Sequence, residues 1–184
     1  MGDNRPMTAS SDAPALPALV AFDLDDTLAP SKSAMPAPMA AALRSLLDVV
    51  PVCVISGGQI GQFRDQVLAH LGADDAELAR LHLMPTCGTR YYVHSASDDG
   101  EGSQPGIEGM PGWRLVYAND LSPQQIEEGF AVVEAEARRL GLWEERTWGD
   151  ILEDRGSQIT FSALGQEAPP MRPHSTTAGP PPPA

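Results

Sequence analysis

The sequence predicts an α/β fold in which a Rossmann-like core of parallel strands is followed by a smaller α+β region. Three observations carry this. Short apolar runs of strand length recur at Leu19-Val20-Ala21-Phe22, Val52-Cys53-Val54-Ile55 and Leu81-His82-Leu83-Met84. Apolar residues at helical spacing fill the intervals between them. From Thr89 onward two further strand-like runs and one long amphipathic helix replace that alternation.

Taken in order, residues 1–17 are rich in Pro, Ala, Ser and Asp without periodicity, the composition of a mobile leader. The first strand follows. Pro38 suits a helix start, and Leu43, Leu46, Leu47 and Val50 then mark one apolar face that packs on a sheet. After the second strand, Ile60, Phe63, Val67, Leu68 and Leu71 repeat the helical pattern and lead to the third. Strands alternating with helices imply parallel pairing through right-handed crossovers, so residues 18–88 read as the first half of a core.

Residues 89–167 read as a second region. Arg90-Tyr91-Tyr92-Val93-His94 and Trp113-Arg114-Leu115-Val116-Tyr117 flank a Ser, Asp, Gly and Pro loop and suit antiparallel pairing. Ser122 is placed to cap a helix, with Pro123 in its first turn and Gln125 reaching back. Ile126, Phe130, Val133, Ala137 and Leu140 give that helix an apolar face, and Gly141 stops it. Gln158 to Ala163 alternates as a half-buried strand, and the three tryptophans, Trp113, Trp143 and Trp148, suit packing within this region. Residues 168–184, ending in a proline run, carry no periodicity and predict disorder.

A net charge of -13 argues against a nucleic-acid partner or an anionic membrane, which need clustered Lys and Arg. No apolar stretch reaches the length that spans a bilayer, and a cytoplasmic protein is expected. Cys53 and Cys87 fit neither a disulfide framework nor a metal cluster and are expected as buried thiols. The four histidines share no spacing.

The chemistry concentrates at Asp23-Leu24-Asp25-Asp26-Thr27. At a strand exit, residues two apart lie on one side, so Asp23 and Asp25 converge on a single bound group. One carboxylate attacks phosphorus; its neighbour protonates the leaving oxygen and later activates water. Two anions facing a phosphate imply a divalent cation, magnesium, held by Asp23 and Asp25. Ser56-Gly57-Gly58 closes the second strand with a hydroxyl and two glycines whose backbone N–H groups can approach phosphate at a helix start.

The Phe22–Leu28 block resembles the first motif of the haloacid dehalogenase superfamily, and Val52–Gly58 resembles its second. The resemblance implies Asp23 as nucleophile, Asp25 as acid/base, Ser56 as a phosphate donor with Gly57 beside it, and Thr27 in support. The segment from Glu153 to Gly165 is similar to a cap strand of the phosphomannomutase and sugar-phosphate phosphatase branch, which implies that Arg155 binds a substrate phosphate or sugar. A magnesium-dependent phosphohydrolase acting on a small phosphorylated metabolite, a sugar phosphate, is therefore expected. A phosphosugar mutase is the alternative, weakened because Gln166 stands where that branch has an arginine.

The departures set a third expectation. The family's downstream lysine and Gly-Asp acidic pair have no counterpart: the single lysine, Lys32, lies five residues past the first motif, and Gly149-Asp150 reads as the approach to the cap strand. Arg155, beside Glu153 and Asp154, also suits a plain ion pair. The resemblance runs over about residues 18–167 and then breaks off. A shortened, catalytically impaired product with an incomplete core is the expectation that follows.

Overall fold

A computed structural model describes residues 15–95 and 107–169. The expected leader and tail fall almost wholly outside them. A five-stranded sheet runs in the order β1-β2-β3-β4-β5, built from Val20–Phe22, Val52–Ile55, Leu81–Met84, Arg90–His94 and Trp113–Ala118. β1, β2 and β3 are parallel, in the register Phe22↔Val54 and Val54↔Leu83. β4 and β5 are antiparallel to their neighbours.

Helices form the crossovers. α1 (Ala37–Leu47) starts at proline and buries Ala40, Leu43 and Leu47. α2 spans 60–71 as one helical run with a π turn at Arg64–Leu68 and ends at Gly72, whose φ of 62° puts the chain in the left-handed region that favours glycine. Within the widened turn, the Gln66 carbonyl accepts the Met35 N–H at 2.9 Å, which ties the end of the β1 loop to α2. A one-turn helix, α3 (Asp75–Leu78), has a capping box between Asp74 and Glu77, and Glu77 also accepts the Arg44 guanidinium of α1 at 3.0 Å. The core packs Leu24, Leu43, Leu47, Val52, Val54, Phe63, Val67, Leu81 and Leu83 between these helices and the sheet.

Residues 90–94 and 113–118 join this first sheet rather than the second region where sequence composition placed them. The change of composition at Thr89 marks a change in strand environment. Val52, Cys53 and Val54 are all buried, as a parallel strand covered on both faces requires. β4 instead buries Tyr92 and His94 on one face, and β5 is buried at Trp113 alone. Trp113 packs edge-on against His94 at 5.4 Å, inside the sheet's own core. On the wetter face, His82 stacks on Tyr91 and accepts or donates a 2.7 Å hydrogen bond with its hydroxyl, and Tyr91 meets Tyr117.

Past β5 the chain forms α4 (Pro123–Arg139) and a two-stranded antiparallel hairpin, β6 (Leu152–Asp154) with β7 (Ile159–Phe161). The Ser122–Gln125 capping box expected from sequence is present. A Cβ at Gly129 would collide with Ile159, so the bare glycine lets β7 approach the helix. All three β7 residues are half-buried, with no alternation of inside and outside. Arg138 lies 4.6 Å over the Trp143 ring, which anchors the chain leaving α4. Among the described residues no helix is long and apolar enough to cross a membrane.

Candidate active site

The three parallel strands all deliver loops to one edge of the sheet. Asp23 leaves β1, Ser56 leaves β2, and the Pro85-Thr86-Cys87 turn leaves β3. Because Phe22 pairs with Val54, Asp23 falls beside Ile55 and one residue short of Ser56. This is the rim where open α/β sheets bind ligands.

The loop after β1 is organised by backbone hydrogen bonds around a buried anchor. Leu24 is fully buried, and its carbonyl accepts the N–H groups of Leu28 and Ala29 at 3.0 and 3.1 Å. With the intervening side chain pinned in the core, the carboxylates on either side are held at the surface. Asp23 is exposed, and its Oδ1 accepts the Leu24 N–H at 2.8 Å. Asp25 is half-buried. Its two oxygens accept the Gln62 side-chain amide at 3.1 and 2.9 Å, and Oδ1 also accepts the Lys32 N–H at 3.3 Å. Asp26 has a φ of 58° and spends its carboxylate on the Ser31 N–H, a turn-closing role. Thr27 lies exposed in the same turn.

Ser56 is buried, and its hydroxyl oxygen accepts the Gly58 N–H at 3.4 Å. The β3 turn closes on it: Cys87 donates its N–H to the Ser56 carbonyl at 2.9 Å and Thr86 donates to the Gly58 carbonyl at 2.9 Å. Thr86 and Cys87 reach these positions at φ of 50° and 57°, a conformation costly for residues with a Cβ. That geometry turns Cys87 outward. The Cys87 thiol is exposed, against the buried state expected from sequence, and lies 3.7 Å from where a Gly57 Cβ would be. Cys53 is buried as expected, and burial raises its thiol pKa.

The turn between β6 and β7 reaches this same loop. Arg155 Nη1 and Gln158 Nε2 each donate to the Gly57 carbonyl at 2.8 Å. Arg155 is also paired with Glu153 at 2.8 Å, and Glu153 accepts the Gln59 amide at 2.9 Å. The ion pair considered from sequence therefore forms, and with it a second bond that brings Arg155 to the backbone of the glycine loop after β2. Ser157 joins Thr89 at 2.6 Å, and Thr89 joins Thr86 at 2.7 Å, a hydroxyl chain from the hairpin to the β3 turn. Lys32 Nζ donates to the Gln166 carbonyl at 3.0 Å, which holds the segment after β7 to the β1 loop.

Asp23, Asp25, Thr27, Ser56 and Gly57, the residues expected from sequence, lie on loops that converge, and Arg155 lies on a turn that touches Gly57. Gln62, Gln158, Glu153 and Gln59 went unmarked. Amide side chains carry no motif of their own; the one usable signal for Gln62 was its place in the first turn of the helix after a glycine pair. Among the described residues no group of three or more His, Cys, Asp or Glu is set to hold a metal. Asp23 offers a hard carboxylate oxygen of the kind magnesium takes, whereas both Asp25 oxygens face the Gln62 amide.

No family model and no curated protein sequence matches the chain. Among solved structures it is similar to Plasmodium falciparum IMP-nucleotidase, at 12% identity and a TM-score of 0.50 over 77% of this chain and 34% of that one. The shared fold is α/β, a mixed five-stranded sheet with helices. The N-terminally truncated, IMP-bound form of that nucleotidase aligns at 11% identity and 0.45 over 73% of this chain and 38% of that one. A hypothetical protein from Geobacillus kaustophilus aligns at 23% identity and 0.37, over 67% of this chain and 37% of that one. The chain spans about a third of the length of these structures.

Proposed function

We propose that the chain carries the site of a magnesium-dependent phosphomonoester hydrolase that works through an aspartyl-phosphate on Asp23 and takes a small phosphorylated metabolite, a sugar phosphate. The observation that carries this reading is the placement of Asp23 and Ser56 at the ends of adjacent parallel strands, with Asp25 on the loop between β1 and α1.

In the first step an Asp23 oxygen bonds to phosphorus as the bond to the substrate's alcohol oxygen breaks. Asp25 hands its proton to that oxygen, so the product leaves as a neutral alcohol. In the second step water attacks the phosphoryl group while Asp25 takes back a proton. Asp23 is released as carboxylate with inorganic phosphate. The Ser56 hydroxyl and the loop N–H groups hold phosphate oxygens through both steps, and donors fixed in advance there lower the barrier without reorganising. Asp23 would hold the magnesium ion, with Asp25 able to join it only while ionised, and the ion would supply charge neutralisation for the phosphoryl group. The Arg155 and Gln158 turn supports recognition of a polar, hydroxyl-bearing substrate, since both side chains meet the phosphate loop from the hairpin side.

A second reading, a site that binds phosphate and metal and turns over slowly, is favoured by the position of Lys32. The single lysine spends its ammonium on the Gln166 carbonyl, so one phosphate charge lacks a cationic partner. A mutase is disfavoured by Gln166, a neutral side chain at the position where the resemblance to phosphomannomutases implies an arginine. The test is phosphate release from p-nitrophenyl phosphate with and without magnesium, in wild type and Asp23→Asn. Magnesium-dependent release that disappears in the variant supports the hydrolase; release that persists in the variant removes Asp23 as nucleophile.

A further inference from the structure

We infer that Gln62 is the positioning residue for the acid/base Asp25, an inference that rests on the hydrolase reading of the site. The Gln62 Nε2 group donates to both Asp25 oxygens, at 3.1 and 2.9 Å, across 37 residues of sequence. Two acceptor oxygens facing one amide settle its orientation: only the NH2 end can face a carboxylate. The opposite end of that amide lies over Gly58, where a Cβ would collide with the carboxamide. Gly58 therefore makes room for Gln62, and Gln62 stands between the phosphate loop and the acid/base.

The contact addresses a mechanical weakness of an aspartate. Rotation of its carboxylate about the last side-chain bond meets only a broad, shallow preference. Asp25 must place one oxygen within hydrogen-bond reach of the leaving oxygen, and an error of about 1 Å costs up to a hundredfold in rate. A donor bridging both oxygens fixes the plane of the carboxylate. The Lys32 N–H at 3.3 Å adds a third, backbone donor on Oδ1. Gln62 is neutral, so it fixes Asp25 without adding a cation that would compete for the phosphate.

The predicted signature is selective for the leaving group. p-Nitrophenolate departs without a proton, whereas the alkoxide of glycerol phosphate needs one. kcat/KM reports steps through departure of the alcohol, so it isolates proton donation from the later water attack. Gln62→Leu is expected to lower kcat/KM for glycerol phosphate by about tenfold or more and for p-nitrophenyl phosphate by less than about threefold. Gln62→Met keeps much of the side-chain length and loses the donor, and the same selective loss is expected. In an Asp25→Asn background, Gln62→Leu should have no further effect on the ratio, because interacting residues are non-additive. Equal losses on both esters, or an undiminished effect in that background, overturn the inference while leaving the hydrolase reading in place.

A second measurement is independent of turnover. The Gln62 side-chain amide signals in a 1H–15N spectrum should be displaced from those of exposed glutamines and should return to that position in Asp25→Ala. Amide signals already at the exposed-glutamine position in wild type overturn the pairing itself. A wild-type protein that shows the pairing yet cleaves neither ester removes the hydrolase reading and, with it, the catalytic role assigned to Gln62.

Discussion

Arg155 Nη1 lies 2.8 Å from the carbonyl oxygen of Gly57, 98 residues earlier in the chain. This bond joins the tip of the β6–β7 hairpin to the glycine loop that follows β2. Gln158 donates to the same oxygen at 2.8 Å, so the hairpin grips the loop through two donors from one turn. The contact is made to backbone, through the Gly57 carbonyl.

Removing the charged donor tests the grip. Arg155→Met keeps much of the side chain's bulk and loses both the Gly57 bond and the Glu153 pair. A hydrogen bond from a charged, mostly covered group is worth about 1.5–3 kcal/mol. Gln158 still satisfies the carbonyl, so a loss near about 1.5 kcal/mol in urea unfolding is expected, together with a raised KM for phosphosugars. Unchanged stability and unchanged KM would show that the bond is incidental.

Leu24 supports the acids without touching a ligand. It is fully buried between two carboxylates that are not. Leu24→Ala should cost about 2–5 kcal/mol and lower turnover, because the chain between Asp23 and Asp25 loses its anchor. Equal stability of wild type and variant by thermal melting would contradict this packing.

Where the candidate residues lie was partly legible in the sequence, and the reason differs residue by residue. Asp23, Asp25 and Ser56 were visible because a strand end is itself a sequence signal and fixes where the next side chain points. Gln62 and Gln158 were not, since their partners are set by helix and hairpin packing across 37 and 101 residues. β4 and β5 read correctly as antiparallel strands, but which sheet they join depends on non-local pairing with β3 that periodicity does not encode. Cys87 was misjudged because its left-handed backbone, in a turn closed on Ser56, was hidden behind an ordinary strand-end pattern.

Thiol chemistry separates the two cysteines. Cys87 is exposed, while Cys53 is buried with its pKa raised, which suppresses the reactive thiolate. A disulfide reagent should label Cys87 rapidly and Cys53 only on unfolding, as read by peptide mass. The Cys87 adduct lies against Gly57 and should slow turnover; fast labelling of Cys53 in the folded protein would contradict the packing of β2.

His82 makes stability depend on pH. Burial lowers its pKa from the usual imidazole value of about 6.5. The unfolded chain then binds a proton more readily than the folded one, so His82 lowers stability as pH falls below about 6.5 and has no such effect above it. Urea midpoints at pH 7.5, 6.5 and 5.5 should fall more steeply for wild type than for His82→Gln. Identical slopes would contradict the assignment.

The proposed hydrolysis requires Asp23 to become esterified to phosphorus. The direct measurement is to incubate the protein with magnesium and 32P-labelled acetyl phosphate, quench in acid, and map the labelled peptide. Label on the peptide containing Asp23, absent in Asp23→Asn, is the expected result. Label on a different peptide, or label retained in Asp23→Asn, would contradict it.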